Sequence, residues 1–114
     1  MGAQTAKGAA TREHRMELAA SIAETCWKMY ENQPTGIAPE RVKQMDMDLR
    51  RTDTREYILR PEALEGWWYM NELTQDPRYQ EWGWRVFTSF EKWLRVDNGY
   101  ASLKDVRVTT PQYL

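Results

Sequence analysis

The stretch EYILRPEALEGWWYMNEL, Glu56 to Leu73, gathers a guanidinium, two carboxylates and two indoles around one proline. Proline suits the first helical position, where its missing N–H is an unpaired donor in any case. A helix is therefore predicted to start at Pro61, with Leu64, Trp67, Trp68 and Leu73 as its apolar stripe. Glu62 falls in the first turn, where the helix dipole favours a carboxylate. Glu65 follows at i+3, so both carboxylates share one face. Arg60 stands just before the helix, and its planar fork suits a carboxylate or a pair of sugar hydroxyls. Two readings fit this cluster: a capped helix followed by core, or one wall of a sugar-cleaving site. As a surface ion pair, Arg60 would add little stability.

Further along, TQDP breaks the chain, with Asp76 as cap and Pro77 opening a third helix. Tyr79, Trp82, Val86, Phe87, Phe90, Trp93 and Leu94 recur there at helical spacing. Asn98-Gly99 ends it, a short extended stretch follows, and the tail RVTTPQYL, 107–114, carries little signal. The two helices around TQDP should form an antiparallel hairpin. Upstream, residues 1–10 are small and polar and read as a loop or frayed end. A first helix is expected from near Thr11, with Met16, Ala19, Ala20, Ala23, Cys26, Trp27 and Tyr30 on its apolar face. Gln33, Pro34, Thr35 and Gly36 stop it. Between the first and second helices lies a long polar connection, with short extended pieces expected at 42–45 and 56–59. Loops this long inside a domain are usually functional. The fold class is thus all-α: about three helices, a long irregular connection and a short extended C-terminal piece. The apolar stripes are wide for so small a bundle, which points to missing partner helices.

At 114 residues the chain is one domain or a piece of one. Its 41% hydrophobic and 29% charged content excludes a disordered chain. Glu17 and Glu24 interrupt the most apolar stretch, so no membrane-spanning segment is expected. A net charge of -1 gives no reason to expect nucleic acid. The N-terminus has no apolar core of a signal peptide, and so no targeting signal is read. Six Trp and six Tyr stand against two Phe, a balance suited to wet and carbohydrate-facing surfaces as well as to core.

His14 is the only histidine and sits among charges, which excludes a histidine-based triad and a Cys/His zinc site. There is no Gly-rich phosphate loop. Carboxylate chemistry remains: glycoside hydrolysis, or an oxygen-ligated metal such as calcium. Glu40, in TGIAPE, is a second Pro-Glu at a loop edge.

Several of these stretches occur together in one family. ELAASIAETCWKMY, TGIAPE, the run from Tyr57 to Trp93 and NGYASLKDV resemble, in order and spacing, glycoside hydrolase family 47, the class I α-1,2-mannosidases. The likeness covers roughly residues 16 to 106. It implies that the chain is part of a catalytic domain, a C-terminal-half segment of an (α/α)7 barrel. It also implies an inverting, calcium-dependent enzyme that trims high-mannose N-glycans in the endoplasmic reticulum or Golgi lumen. Glu62 then matches the catalytic base, and Arg60 matches an arginine that contacts the sugar. Glu40 and Glu65 match acids lining the innermost sugar subsite. With Glu62, these acids would meet calcium only through its bound water. Cys26 matches a cysteine disulfide-bonded to a partner outside this chain. The family's general acid and its calcium-ligating threonine match no residue here, so the segment alone is expected to be inactive and to need the rest of the barrel.

The chain departs from the family pattern at Gly66, Trp67 and Trp68, at Asn71 and Glu72, and at Gln75 in place of a turn glycine. Glu72 for arginine reverses a charge expected near the sugar-facing rim. Two other readings compete: a non-catalytic high-mannose-binding relative acting in glycoprotein quality control, and a helical interaction module. Trp82-Gly83-Trp84 is a motif of the processing enzymes and favours the enzyme reading.

Overall fold

Three helices carry the chain: α1 (Gly2–Glu31), α2 (Glu62–Thr74) and α3 (Arg78–Trp93). A small antiparallel hairpin follows, β1 (Arg95–Val96) and β2 (Gly99–Tyr100), with Arg95 opposite Tyr100. The computed structural model describes residues 2–42 and 54–114, with side chains from Gly8 onward.

The first helix starts at Gly2 rather than near Thr11, so residues 2–10 are not the loop that their small polar character suggests. Their alanines, Gln4 and Lys7 are good helix formers. Extending a helix already nucleated costs far less than starting one. The second half of α1 supplies that nucleus by burying Ala23, Trp27 and Tyr30, whereas residues 9–15, His14 included, stay exposed.

The proline of each later helix caps rather than opens it. Pro61 precedes α2, and Pro77 precedes α3. Asp76 accepts the Arg78 N–H at 3.0 Å and so satisfies one of the free donors of α3. Only part of the expected α2 stripe is buried. Trp67 and Met70 are, and Leu64 is partly so, but Trp68 is 57% and Leu73 67% exposed. Residues 64, 67 and 70 follow an i, i+3 line along one narrow face, and 68 and 73 turn off it.

One indole from each helix meets at the centre. Trp27 stacks on Trp82 at 5.6 Å, with the planes 6° apart. Trp67 meets both edge-on, at 5.9 Å in each case. Its Nε1–H donates to the Ala23 carbonyl at 3.0 Å, so the buried polar tip is satisfied. Ile37, Tyr57, Leu94, Leu103 and Val106 form a second cluster beneath the hairpin, and Phe90 touches both.

Connections between the clusters are specific. Gly36 has φ +70°, and a Cβ there would meet Ser89 Oγ at 2.6 Å, so a larger residue would be strained. The tail, 107–114, where the sequence carries little signal, folds back on the chain. Leu103 bridges Tyr57 on one side and Tyr113 on the other, and Leu114 N–H donates to Ser102. In the extended piece expected at 56–59, Tyr57 pairs with Leu103, and the piece ends where Leu59 turns left-handed at φ +62°. Val42 lies in irregular chain, and residues 43–45 lie outside the described ones.

The molecule is open on several sides. Its radius of gyration is 17.0 Å, against about 13 Å for a closed domain of this length. Leu18, Ile22, Tyr69, Trp84 and Phe87 are exposed along with Trp68 and Leu73.

Two mutational outcomes follow from this packing. Trp67→Ala should cost about 3–5 kcal/mol and Trp68→Ala less than about 0.5 kcal/mol, read by urea unfolding followed by circular dichroism. Equal costs would contradict the burial. Gln75 ends α2 in the left-handed region at φ 56°, with its side-chain amide on the Asn71 and Glu72 carbonyls. Those exposed bonds offset little of the strain, so Gln75→Gly should stabilise the chain by about 0.5–1 kcal/mol. A lower melting temperature for this variant would show that the amide bonds outweigh the strain.

Candidate active site

The residues of interest cluster where the long connection enters α2. Glu40 closes the segment TGIAPE, whose Ile37 and Ala38 are buried. The Glu40 backbone N–H donates to the Glu56 carbonyl at 3.0 Å, so the two ends of the connection lie side by side. Glu40 Oε1 accepts the Ile58 N–H at 2.8 Å, and Oε2 faces Arg60 Nε at 3.2 Å. The Glu40 side chain is only 13% exposed, whereas Arg60 is 64% exposed. Arg60 is thus tethered at its inner edge and open to solvent at its outer one. The structure brings Arg60 together with Glu40, not with the nearer-in-sequence Glu62. Glu40, Arg41, Thr54, Glu56, Ile58 and Arg60 line a polar pocket of about 220 Å³.

Glu62 is the first residue of α2 and is exposed, as is Glu65 one turn on. Glu62 stands on the rim of a second, mostly apolar groove of about 430 Å³ between α1 and α2, beside Ala19, Ile22, Cys26 and Gly66. Cys26 carries a free thiol, and partial burial raises its pKa. Glu72 lies ten residues beyond Glu62 on the same helix, or about 15 Å along the axis. Glu72 and Asn71 line a groove of about 380 Å³ with Trp68 and Tyr79.

Two residues of this region carry no catalytic signal in the sequence. Tyr57 and Tyr30 are 2% and 5% exposed, and their rings meet edge-on at 6.5 Å. The Tyr57 hydroxyl donates to the Arg60 carbonyl at 3.1 Å. The Glu40 and Glu62 carboxylates lie near enough to act on both phenols. Burial is the main cause that pushes Tyr30 up to about 12, and it raises Tyr57 as well. Alternation from Tyr57 inward to Ile58 outward is the one sequence cue to this pair.

Among the described residues, no group of three or more His, Cys, Asp or Glu side chains is placed to hold a metal ion. Both Glu40 oxygens are already engaged. Exposed Glu62 and Glu65 keep free acceptor positions toward solvent, which fit contact with a hard cation through its bound water.

Comparison with known proteins places this geometry in a family. The chain matches the model of Glycosyl hydrolase family 47 across residues 1–114 and belongs to that family. It is 39% identical over 103 residues to mannosyl-oligosaccharide 1,2-alpha-mannosidase IB of Homo sapiens, covering 88% of this chain and 16% of that protein. It is 43% identical over 94 residues to mannosyl-oligosaccharide 1,2-alpha-mannosidase MNS1 of Arabidopsis thaliana, covering 80% of this chain and 16% of that one. The fold superimposes on an alpha-1,2-mannosidase from Trichoderma reesei with a TM-score of 0.68 at 24% identity, over 79% of this chain and 22% of that one. The helices are accordingly a segment of an (α/α)7 barrel. The chain spans about one sixth of the length of the curated relatives it matches.

The tyrosine pair has a measurable consequence at high pH. The folded chain holds the Tyr30 proton up to about 12, while the unfolded chain releases it near the ordinary value of 10.0. This contribution to stability is complete below the unfolded value and is lost as pH rises through the folded one. Tyr30→Phe has no proton to lose, so its stability should fall less steeply above about pH 10, measured by unfolding at stepped pH. Parallel curves for the variant and the wild type would contradict the assignment.

Proposed function

We propose that this chain is a segment of the catalytic domain of an inverting α-1,2-mannosidase that trims high-mannose N-glycans in the secretory pathway. The observation that carries this reading is the Glu40–Arg60 pair beside Glu62, in a chain matching Glycosyl hydrolase family 47 along its whole length. The printed names of the curated relatives support the substrate class. A relative named for the endoplasmic reticulum, from Rattus norvegicus, is 37% identical over 101 residues and supports the compartment.

In this reading Glu62 is the general base. Its carboxylate takes a proton from water as that water attacks the anomeric carbon. A second carboxylate, outside this chain, protonates the departing oxygen, roughly 6.5–9.5 Å from the first to leave room for the water. Presentation at the head of α2 sets the Glu62 carboxylate at the positive end of the helix dipole, open to solvent. Arg60, held at its inner edge by Glu40, offers its outer N–H groups to sugar hydroxyls. Glu65 lines the same face one turn on. Calcium would supply a hard cation that orders water and hydroxyl oxygens. Glu40, Glu62 and Glu65 would reach it through water alone.

Catalysis by a base and an acid needs both carboxylates, so the isolated 114-residue chain should release no mannose. Calcium-dependent release by this chain alone would overturn that expectation. The positive test is a completed domain in which residues 16–106 replace the matching segment of the Trichoderma reesei enzyme. That domain should cleave an α-1,2-linked mannose disaccharide. Glu62→Gln should lower its kcat at least about a thousandfold, with the larger losses expected for removal of an essential base. A Glu62→Gln variant that keeps its kcat would remove Glu62 from the role.

A further inference from the structure

We infer that Tyr57 is a positioning residue for the Arg60–Glu62 corner, acting through the Arg60 carbonyl to set the direction in which Glu62 is presented. The inference rests on the reading of Glu62 as the base.

Leu59 occupies the left-handed region at φ +62°. A non-glycine residue there is strained and persists only where its surroundings over-determine it. The surroundings are specific. Tyr57 is clamped through its backbone, its N–H donating to Leu103 and its carbonyl accepting from Leu103, each at 3.0 Å. Ile58 N–H is held by Glu40. Beyond the strained residue, the Arg60 side chain is tied to Glu40 and the Arg60 carbonyl to the Tyr57 hydroxyl at 3.1 Å.

That carbonyl is not part of the helix ladder, which opens with Leu64 N–H on the Pro61 carbonyl at 3.0 Å. Pro61 brings no N–H of its own to the corner. The phenol therefore closes a small ring across residues 57 to 60 and fixes the peptide that leads into Glu62. Rotation of that peptide would swing Glu62, two residues on, about the corner. Tyr57 has a single hydroxyl proton and gives it to Arg60. Its ring meets that of Tyr30 edge-on at 6.5 Å, which joins the last turn of α1 to the corner. Both rings are buried, so the bond from Tyr57 to Arg60 is shielded from competing water.

The test uses Tyr57→Phe, which keeps the ring and removes the hydroxyl. In the wild-type and variant 114-residue chains, carbon-13 NMR would follow the Arg60 carbonyl and the Glu62 carboxyl without substrate. Expected are an upfield shift of the Arg60 carbonyl, a displaced Glu62 carboxyl resonance and unchanged helical circular dichroism. In the completed domain, Tyr57→Phe should lower kcat about tenfold to a hundredfold and leave KM unchanged. Unmoved resonances in a folded Tyr57→Phe chain would overturn the inference, and so would a kcat equal to wild type. Should that variant not fold, the wild-type Tyr57 hydroxyl proton decides. Slow exchange with contacts to Arg60 supports the inference, and fast exchange overturns it. Failure of the base assignment is read separately, from Glu62→Gln activity.

Discussion

The contact of Trp27, Trp67 and Trp82 is the constraint on which the rest depends. Each indole comes from a different helix, so the three rings fix the helices' separation and roll together. A stacked pair with a third ring edge-on to both satisfies the ring quadrupoles better than three parallel rings would. The hydrogen bond from Trp67 to the Ala23 carbonyl adds direction to a contact that would otherwise only fill space. Once α2 is rolled so that Trp67 points inward, Glu62 and Glu65 must lie on other parts of its surface. The carboxylates are exposed because the indole is not.

A second constraint acts at the other end of α2. The connection returns to the helix through a left-handed leucine, and the Ile58 N–H, the Arg60 guanidinium and the Arg60 carbonyl around that corner each have a defined partner. Glu40 serves both the Ile58 N–H and the Arg60 guanidinium, so one carboxylate organises backbone and side chain at once. Beneath it, two buried phenols join the end of α1 to the start of α2. The corner is thus supported from the core, while the groups suited to sugar chemistry face outward. This division keeps the charged side chains accessible on a backbone held by specific contacts.

The open faces have a common origin. Trp68, Leu73, Trp84 and Phe87 are apolar and exposed in a chain that spans about one sixth of its curated relatives. In a barrel of paired helices each helix packs on more than one side, so a three-helix segment leaves apolar faces uncovered. The wide stripes seen in the sequence reflect that surplus. Why Trp68 and Glu72 replace the residues more common in the family has no explanation in this structure.

Periodicity alone located α2, α3 and the buried half of α1, because core positions repeat at helical spacing. It misjudged residues 2–10, where helix propagation outweighs small polar composition. It also placed Trp68 on the stripe, because a one-residue step around a helix is too fine for hydropathy to resolve. The sequence by itself determined the starts of α2 and α3 and the acidic, arginine-flanked head of α2, since caps and prolines act on their immediate neighbours. Only the tertiary structure decided that Arg60 pairs with Glu40, that the tail returns to Leu103, and that Tyr57 and Tyr30 brace the corner. Those contacts join residues far apart in the chain, and no local preference of the residues between them encodes which will meet.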